Sequence, residues 1–236
     1  MSVDVFGCAM LDFISGNNPQ DISTYSSLEE EDTIPVSYLF RDFKDMPVLE
    51  QVALKNCHGK ILDVGCGAGS HSLYLSKKGF SVTSIDASEG AISVCRKRGL
   101  DSAICTDFLK YTGQQFDSIL LLMNGIGIVG TLNNLNAYLK HLKSLLKPNG
   151  QILFDSSDIL YMYDQEEDGG FLVPTQNNYY GEVSFVLSYK DLKSDPFSWL
   201  YIDYNTISRA AQFHGFQCEL VRKGTHYDYL AKLSLL

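Results

Sequence analysis

The chain has 236 residues, of which 45% are hydrophobic and 20% charged, with a formal net charge of −9 and a pI near 4.9. This is the balance of an ordinary globular chain, long enough to bury a core as one large domain with additions. Broad binding to DNA or to anionic membranes needs clustered Lys and Arg, which this excess of carboxylates opposes, so no nucleic-acid or membrane partner is expected. Six cysteines (Cys8, Cys57, Cys66, Cys95, Cys105 and Cys218) form no C-x-x-C pair and read as free thiols in a reducing compartment. No signal-peptide pattern opens the sequence and no apolar run reaches membrane-spanning length, so a cytoplasmic protein is expected.

Residues 1–16 have the pattern of an amphipathic helix, broken by Ser15-Gly16-Asn17-Asn18-Pro19. An acidic loop follows at 29–32. Residues 38–54 recover helical spacing as two helices interrupted before Pro47. Ile61, Leu62 and Val64 make a buried strand, 70–78 a helix stopped by Gly79, and 81–85 a second strand ending in Asp86. Ser88 caps a helix over 89–99 whose basic end, Arg96-Lys97-Arg98, reads as solvated. Strands over 102–105, 116–123 and 151–154 and a leucine-faced helix over 132–146 complete an alternating β/α pattern. From 155 onward the pattern changes. A segment to about Trp199 carries a period-two strand over 180–189, then a helix over 204–214 leads into a closing hairpin, 216–221 with 226–236.

The expected fold is therefore α/β: a doubly wound, mostly parallel sheet with an antiparallel closing strand, an N-terminal helical cap and a small inserted β segment. The expected division is a cap over 1–58 and a main domain over 59–236 with a lid-like insertion at about 156–199.

The centre of this pattern is the stretch 61–86. Gly65, Gly67 and Gly69 follow the first strand at once, as G-x-G-x-G, and Asp86 closes the second strand about 20 residues on. Strand, glycine turn, helix and acidic residue in this order make a nucleotide site, with the carboxylate accepting ribose hydroxyls. A dinucleotide fingerprint wants Gly or Ala where this chain has Ser70, so a pyrophosphate is the poorer fit.

Asp63-Val64-Gly65-Cys66-Gly67-Ala68-Gly69 resembles the first motif of class I S-adenosylmethionine-dependent methyltransferases, and Ile85-Asp86-Ala87-Ser88 resembles their ribose-binding motif. The resemblance spans about residues 60–155 and implies a Rossmann-like fold with S-adenosyl-L-methionine as cofactor. It implies that Asp63, Gly65, Cys66, Gly67, Gly69, Asp86 and Ala87 hold that cofactor. It further implies that Asp107 accepts the adenine amino group with Phe108 against the ring, the alternative for Asp107 being a helix or turn cap. Asn124 past the fourth strand is a candidate to contact the cofactor or orient an acceptor, or else part of an ordinary Asn-Gly turn. In this family an N-terminal segment lies over the cleft, making Arg41 a candidate clamp for the methionine carboxylate and Tyr25, Tyr38 and Phe40 candidates beside it. Equally, Arg41 reads as a surface cation and the aromatics as core. The D/N-P-P-Y/F signature of amino-methylating DNA and protein enzymes is replaced here by Asn124-Gly125-Ile126-Gly127, which leans the acceptor toward a small molecule.

The sequence does not identify a base for the acceptor proton; the candidates are His71, Glu182 and His226, with Asp155, Tyr179 and Tyr180 also available, and each also reads as a structural residue. No metal-ligand spacing is present, so no metal is expected. The alternatives are an NAD(P)-dependent oxidoreductase and a non-catalytic cofactor-binding protein of the same fold.

Overall fold

A computed structural model of the chain describes residues 3–166, 168–173 and 179–236. Glu167 and residues 174–178 of the expected insertion, and residues 1–2 of the first helix, lie outside the described residues. Asp4 opens α1 (Val5–Ser15) by accepting from the Gly7 N–H, and Gly16 closes it in left-handed backbone. Next comes a hairpin, β1 (Ile22–Ser26) and β2 (Glu31–Ile34), so the acidic stretch at 29–32 is half strand and the N-terminal segment is not helical throughout. The partner that stabilises this hairpin lies in the far half of the chain, beyond the reach of local pattern. Residues 38–46 correct a second expectation. They form two 3₁₀ turns, Val36–Phe40 and Phe43–Asp45, with extended backbone at Arg41 and Asp42 between them, and only α2 (Val48–Asn56) beyond Pro47 is an α-helix.

The central elements follow the expected alternation: β3 (Lys60–Val64), α3 (Ser70–Lys77), β4 (Ser81–Asp86), α4 (Glu89–Lys97), β5 (Ile104–Cys105), β6 (Phe116–Leu121), α5 (Leu135–Leu145) and β7 (Leu146–Ser157). The insertion supplies β8 (Glu182–Tyr189), β9 (Leu192–Lys193) and β10 (Phe197–Leu200), and α6 (Tyr204–Phe213) leads to the hairpin β11 (Phe216–Lys223) and β12 (Asp228–Leu235). Seven strands pair in the order β11-β12-β7-β6-β3-β4-β5, with β3 to β7 parallel and the closing hairpin antiparallel. Alternate side chains of the buried strands go to opposite faces. Ile152 and Phe154 pack under α5 and α6, while Leu153, Ile61 and Leu120 pack against Leu49, Ala53 and Leu75 of α2 and α3. Chain order reverses between β3 and β6, so the crevice at their carboxyl tips is where this architecture takes a ligand.

A second sheet, β10-β8-β1-β2 with β9 on β8, unites the N-terminal hairpin with the insertion, two additions that look unrelated in sequence. It is fastened to the main domain at two close approaches. A Cβ at Gly127 would overlap the Trp199 indole of β10, and a Cβ at Gly90 would overlap the Gly7 backbone where α1 crosses α4. At that crossing Asp4 Oδ2 also accepts from Ser88 Oγ (2.8 Å) and the Gly90 N–H (3.0 Å). No helix among the described residues is long and apolar enough to cross a membrane.

Gly90→Ala tests the crossing. Backbone cannot yield as a flexible side chain can, so we expect a loss of about 1–3 kcal/mol in chemical denaturation. An unchanged midpoint would show that α1 does not dock there.

Candidate active site

The site is built at the tips of β3 and β4. Gly65 and Gly67 take φ of +71° and +54°, and nothing lies within 4 Å of where a Cβ would stand at either, so the loop presents bare backbone to open space. Gly69 differs: a Cβ there would run into Leu100 and Cys95, so the third glycine serves packing against α4. The Gly65 and Cys66 N–H groups both bond to the Ile85 carbonyl (2.9 and 3.1 Å). Asp86 completes the lock. Its Oδ2 accepts from Gly67 N–H and its Oδ1 from Ser88 N–H, both at 2.9 Å. Burial raises its pKa against those two hydrogen bonds. Each oxygen keeps a further lone pair for a ligand hydroxyl.

The structure sorts the other sequence candidates. Ala87 is exposed beside Asp86. Asp107 is exposed two residues past β5, where Oδ1 accepts from Leu109 N–H (2.8 Å), so it caps a turn while its carboxylate reaches solvent. Asp63 is buried beneath α3, accepting from Ser72 Oγ (2.6 Å), which also meets Ser84 Oγ (2.7 Å). There it ties helix to sheet through the serine pair. The Cys66 side chain turns away into α4, 3.7 Å from Cys95 Sγ, leaving only its backbone for the cradle. Phe108 is taken by the core, its ring 5.7 Å from Tyr138 and edge-on to His141, and does not face the cleft. Asn124 sits in left-handed backbone at the end of β6 and accepts from Ser157 Oγ (2.9 Å).

Arg41 is neither a free clamp nor a surface cation. Its Nη2 reaches both oxygens of Glu50 (2.6 and 2.5 Å), Nη1 donates to the Tyr38 carbonyl, and the guanidinium lies 4.0 Å from the Tyr38 ring. Glu50 Oε2 is also 2.7 Å from His71 Nε2, making a buried chain of cation, carboxylate and imidazole. Burial alone would lower the His71 pKa, but the hydrogen bond to Glu50 and the charges of Asp63 and Glu50 outweigh it and hold it above its usual value. Desolvation of Glu50 is likewise overcome by His71 and Arg41, so it stays below the usual carboxylate range. His71 is thus occupied. Glu182 accepts from Leu132 N–H (2.7 Å), and His226 is exposed in the turn before β12. The Tyr179 hydroxyl donates to Asp203 (2.7 Å) and that of Tyr180 to Asp158 (2.8 Å), and burial pushes both pKa values up, so neither is a ready base. Tyr25 and Tyr38 are exposed, and the Phe40 ring packs tilted against Phe13, centroids 4.5 Å apart. Arg98, expected in solvent, lies 5.0 Å from the Phe40 ring and donates to the Ala68 carbonyl (2.5 Å). With Ser70 Oγ on the Leu39 carbonyl (2.9 Å), it straps residues 39–41 to the glycine loop.

Sequence reasoning missed Glu50, although a lone carboxylate inside the apolar run VLEQVAL was the available signal. Asp155, one of several groups there, stands out here. It is buried at the tip of β7, beside the Asn124 and Gly125 N–H groups. Burial, aided by the charge of Glu50, raises its pKa to about 6 against those N–H groups and the charge of His71. Among the described residues no group of three or more His, Cys, Asp and Glu side chains could hold a metal ion.

The Asp155 shift has a definite sign in stability. Because the folded-state pKa of about 6 lies above the unfolded value, the folded chain keeps a proton that the unfolded chain releases. Stability therefore falls as pH rises from about 4 to about 6 and carries the full penalty above that, on the order of 2–3 kcal/mol. Asp155→Asn should be more stable than the parent at pH 7.5, and the advantage should vanish towards pH 4. Denaturation midpoints at the two pH values measure this, and an equal loss at both would refute it.

Residues 61–150 match a family model described as a methyltransferase domain. The chain is 34% identical over 110 residues to the ubiquinone biosynthesis O-methyltransferase of Pasteurella multocida, and 29% identical over 143 residues to the glycine N-methyltransferase of Rattus norvegicus. These stretches cover 41% and 52% of this chain and only 46% and 47% of those proteins, so the chain spans less than half the length of these curated relatives. Similarity over nearly the whole chain comes from a crystal structure of a Bacteroides fragilis S-adenosylmethionine-dependent methyltransferase in complex with S-adenosyl-L-homocysteine. It superimposes with a TM-score of 0.91 and 43% identity, covering 98% of this chain and 94% of that one. Identity of that extent, over a glycine cradle and acidic strand tip that suit a nucleoside better than a dinucleotide, shows that the chain belongs to the S-adenosylmethionine-dependent methyltransferase family.

Proposed function

We propose that this chain transfers the methyl group of S-adenosyl-L-methionine to a small-molecule acceptor. The observation that carries the reading is the open backbone at Gly65 and Gly67 beside the Asp86 carboxylate, a cradle that any side chain at either glycine would fill. When bound, the cofactor supplies a methyl group already activated on a sulfonium. The residues' part is to bind, orient and exclude water, the kind of positioning that contributes about 7–11 kcal/mol in favourable cases. Asp86 accepts the ribose hydroxyls, the exposed carboxylate of Asp107 suits the adenine amino group, and the loop N–H groups line the remainder. Asp155, ionised above about pH 6 at the tip of β7, receives the proton that the acceptor gives up.

The preference for a small acceptor rests on the charge of −9 and on the second sheet, which we read as one cover made from the 1–58 and 156–199 additions. The six free thiols fit a reducing, cytoplasmic setting. The similarity to a ubiquinone biosynthesis O-methyltransferase and to a glycine N-methyltransferase supports the same preference.

Two measurements test the reading. Calorimetry with S-adenosyl-L-homocysteine should show binding that Asp86→Ala weakens by about 2 kcal/mol or more without unfolding the chain. Binding of NAD alone, or affinity untouched by the substitution, would overturn it. In a transfer assay with labelled cofactor over a metabolite pool, Asp155→Asn should lose kcat and the rise in rate near pH 6 while keeping cofactor affinity. A variant with the parent's pH profile would remove Asp155 from the chemistry.

A further inference from the structure

One cavity on the carboxyl edge of the main sheet shares no lining residue with the glycine cradle and Asp86. It measures about 380 Å³, the size of a small metabolite, and is lined by Asp158, Tyr161, Tyr163, Gln165, Phe171 and Tyr227 together with Leu160. Its place is set by register. β7 ends at Ser157, which pairs with Asp228 at the start of β12 and donates through Oγ to Asn124 Oδ1. Asp158 is the next residue, and its N–H bonds to the Tyr227 carbonyl (2.9 Å). The cavity therefore opens one residue beyond Ser157, whose hydroxyl meets Asn124 just past the end of β6, on the side of the sheet's carboxyl tips where the acceptor would enter.

Its lining is unusual in three ways. Tyr161 and Tyr227 stack with ring centroids 4.5 Å apart and planes 16° apart, yet remain 51% and 66% exposed. Tyr227 holds a φ of +60°, a backbone state that costs a non-glycine residue energy and that the surroundings must enforce. Among the described residues the one charged side chain on the wall is the Asp158 carboxylate, whose Oδ1 is fixed by Leu160 N–H (3.1 Å) and the Tyr180 hydroxyl (2.8 Å), and no described Lys, Arg or His lines the space. Aromatic faces beside one oriented carboxylate attract a cation and offer an anion nothing.

We infer that this cavity anchors a positively charged nitrogen of the methyl acceptor, a small molecule carrying an ammonium group apart from the atom that is methylated. The inference rests on the methyltransferase reading and adds the class of acceptor.

The test uses the whole chain saturated with S-adenosyl-L-homocysteine. The titrants are choline and its neutral carbon isostere 3,3-dimethyl-1-butanol, compared by calorimetry. Choline should bind about tenfold tighter than the alcohol. Tyr227→Ala and Asp158→Asn should each weaken choline by about fivefold or more, Tyr227→Phe should retain it because the ring face remains, and homocysteine-nucleoside affinity should not change in any of them. Equal affinity for the two probes, no choline binding, or binding indifferent to Tyr227→Ala would overturn the inference. Failure of S-adenosyl-L-homocysteine itself to bind would instead sink the methyltransferase reading.

Discussion

Three hydrogen bonds join the loop after β3 to the tip of β4, and the candidate site depends on the one from the Gly67 N–H to Asp86 Oδ2, which fixes the carboxylate itself. A half-buried carboxylate needs donors to remain charged, and backbone amides of the loop and of Ser88 supply them. In return the carboxylate dictates the path of the loop. That path requires positive φ at three glycines, two of which then face open space while the third packs against α4. A ligand cradle and a helix–sheet joint thus come from one turn of chain.

Around that joint the molecule places charge in its interior. Arg41, Glu50 and His71 form a buried chain that fixes the segment over the glycine loop, with Arg98 and Ser70 holding the same segment from the other side. Burying such groups costs desolvation, so their value lies in specifying one placement of residues 39–41 more than in stability. Asp155 is a sharper case, since its burial opposes its own ionisation and nearby Glu50 adds to that. A carboxylate kept at such a cost fits the proton-accepting role proposed for Asp155.

The second sheet explains how one edge of the main domain is covered. Its strands come from both ends of the candidate cover, 22–34 and 182–200, and it is pinned where Trp199 meets Gly127 and where α1 crosses α4 at Gly90. Tyrosine hydroxyls finish the work, with Tyr189 on Asp12, Tyr179 on Asp203 and Tyr163 on the Tyr180 carbonyl. The last of these holds Tyr163 in the wall of the aromatic cavity, where Tyr161 and Tyr227 remain exposed.

The sequence by itself determined the parallel core, the glycine loop and Asp86, because apolar strands, a turn that only glycine permits and an acidic strand tip are written in adjacent residues. Only the tertiary structure decided the rest. That Arg41 meets Glu50, that Phe108 enters the core, that half of the acidic stretch at 29–32 becomes strand beside a β1 also paired to β8, and that Asp158 meets Tyr227 all depend on groups of other elements. Local pattern records which side chains want burial or a counter-charge, whereas the identity of the group that satisfies them is fixed when the layers pack.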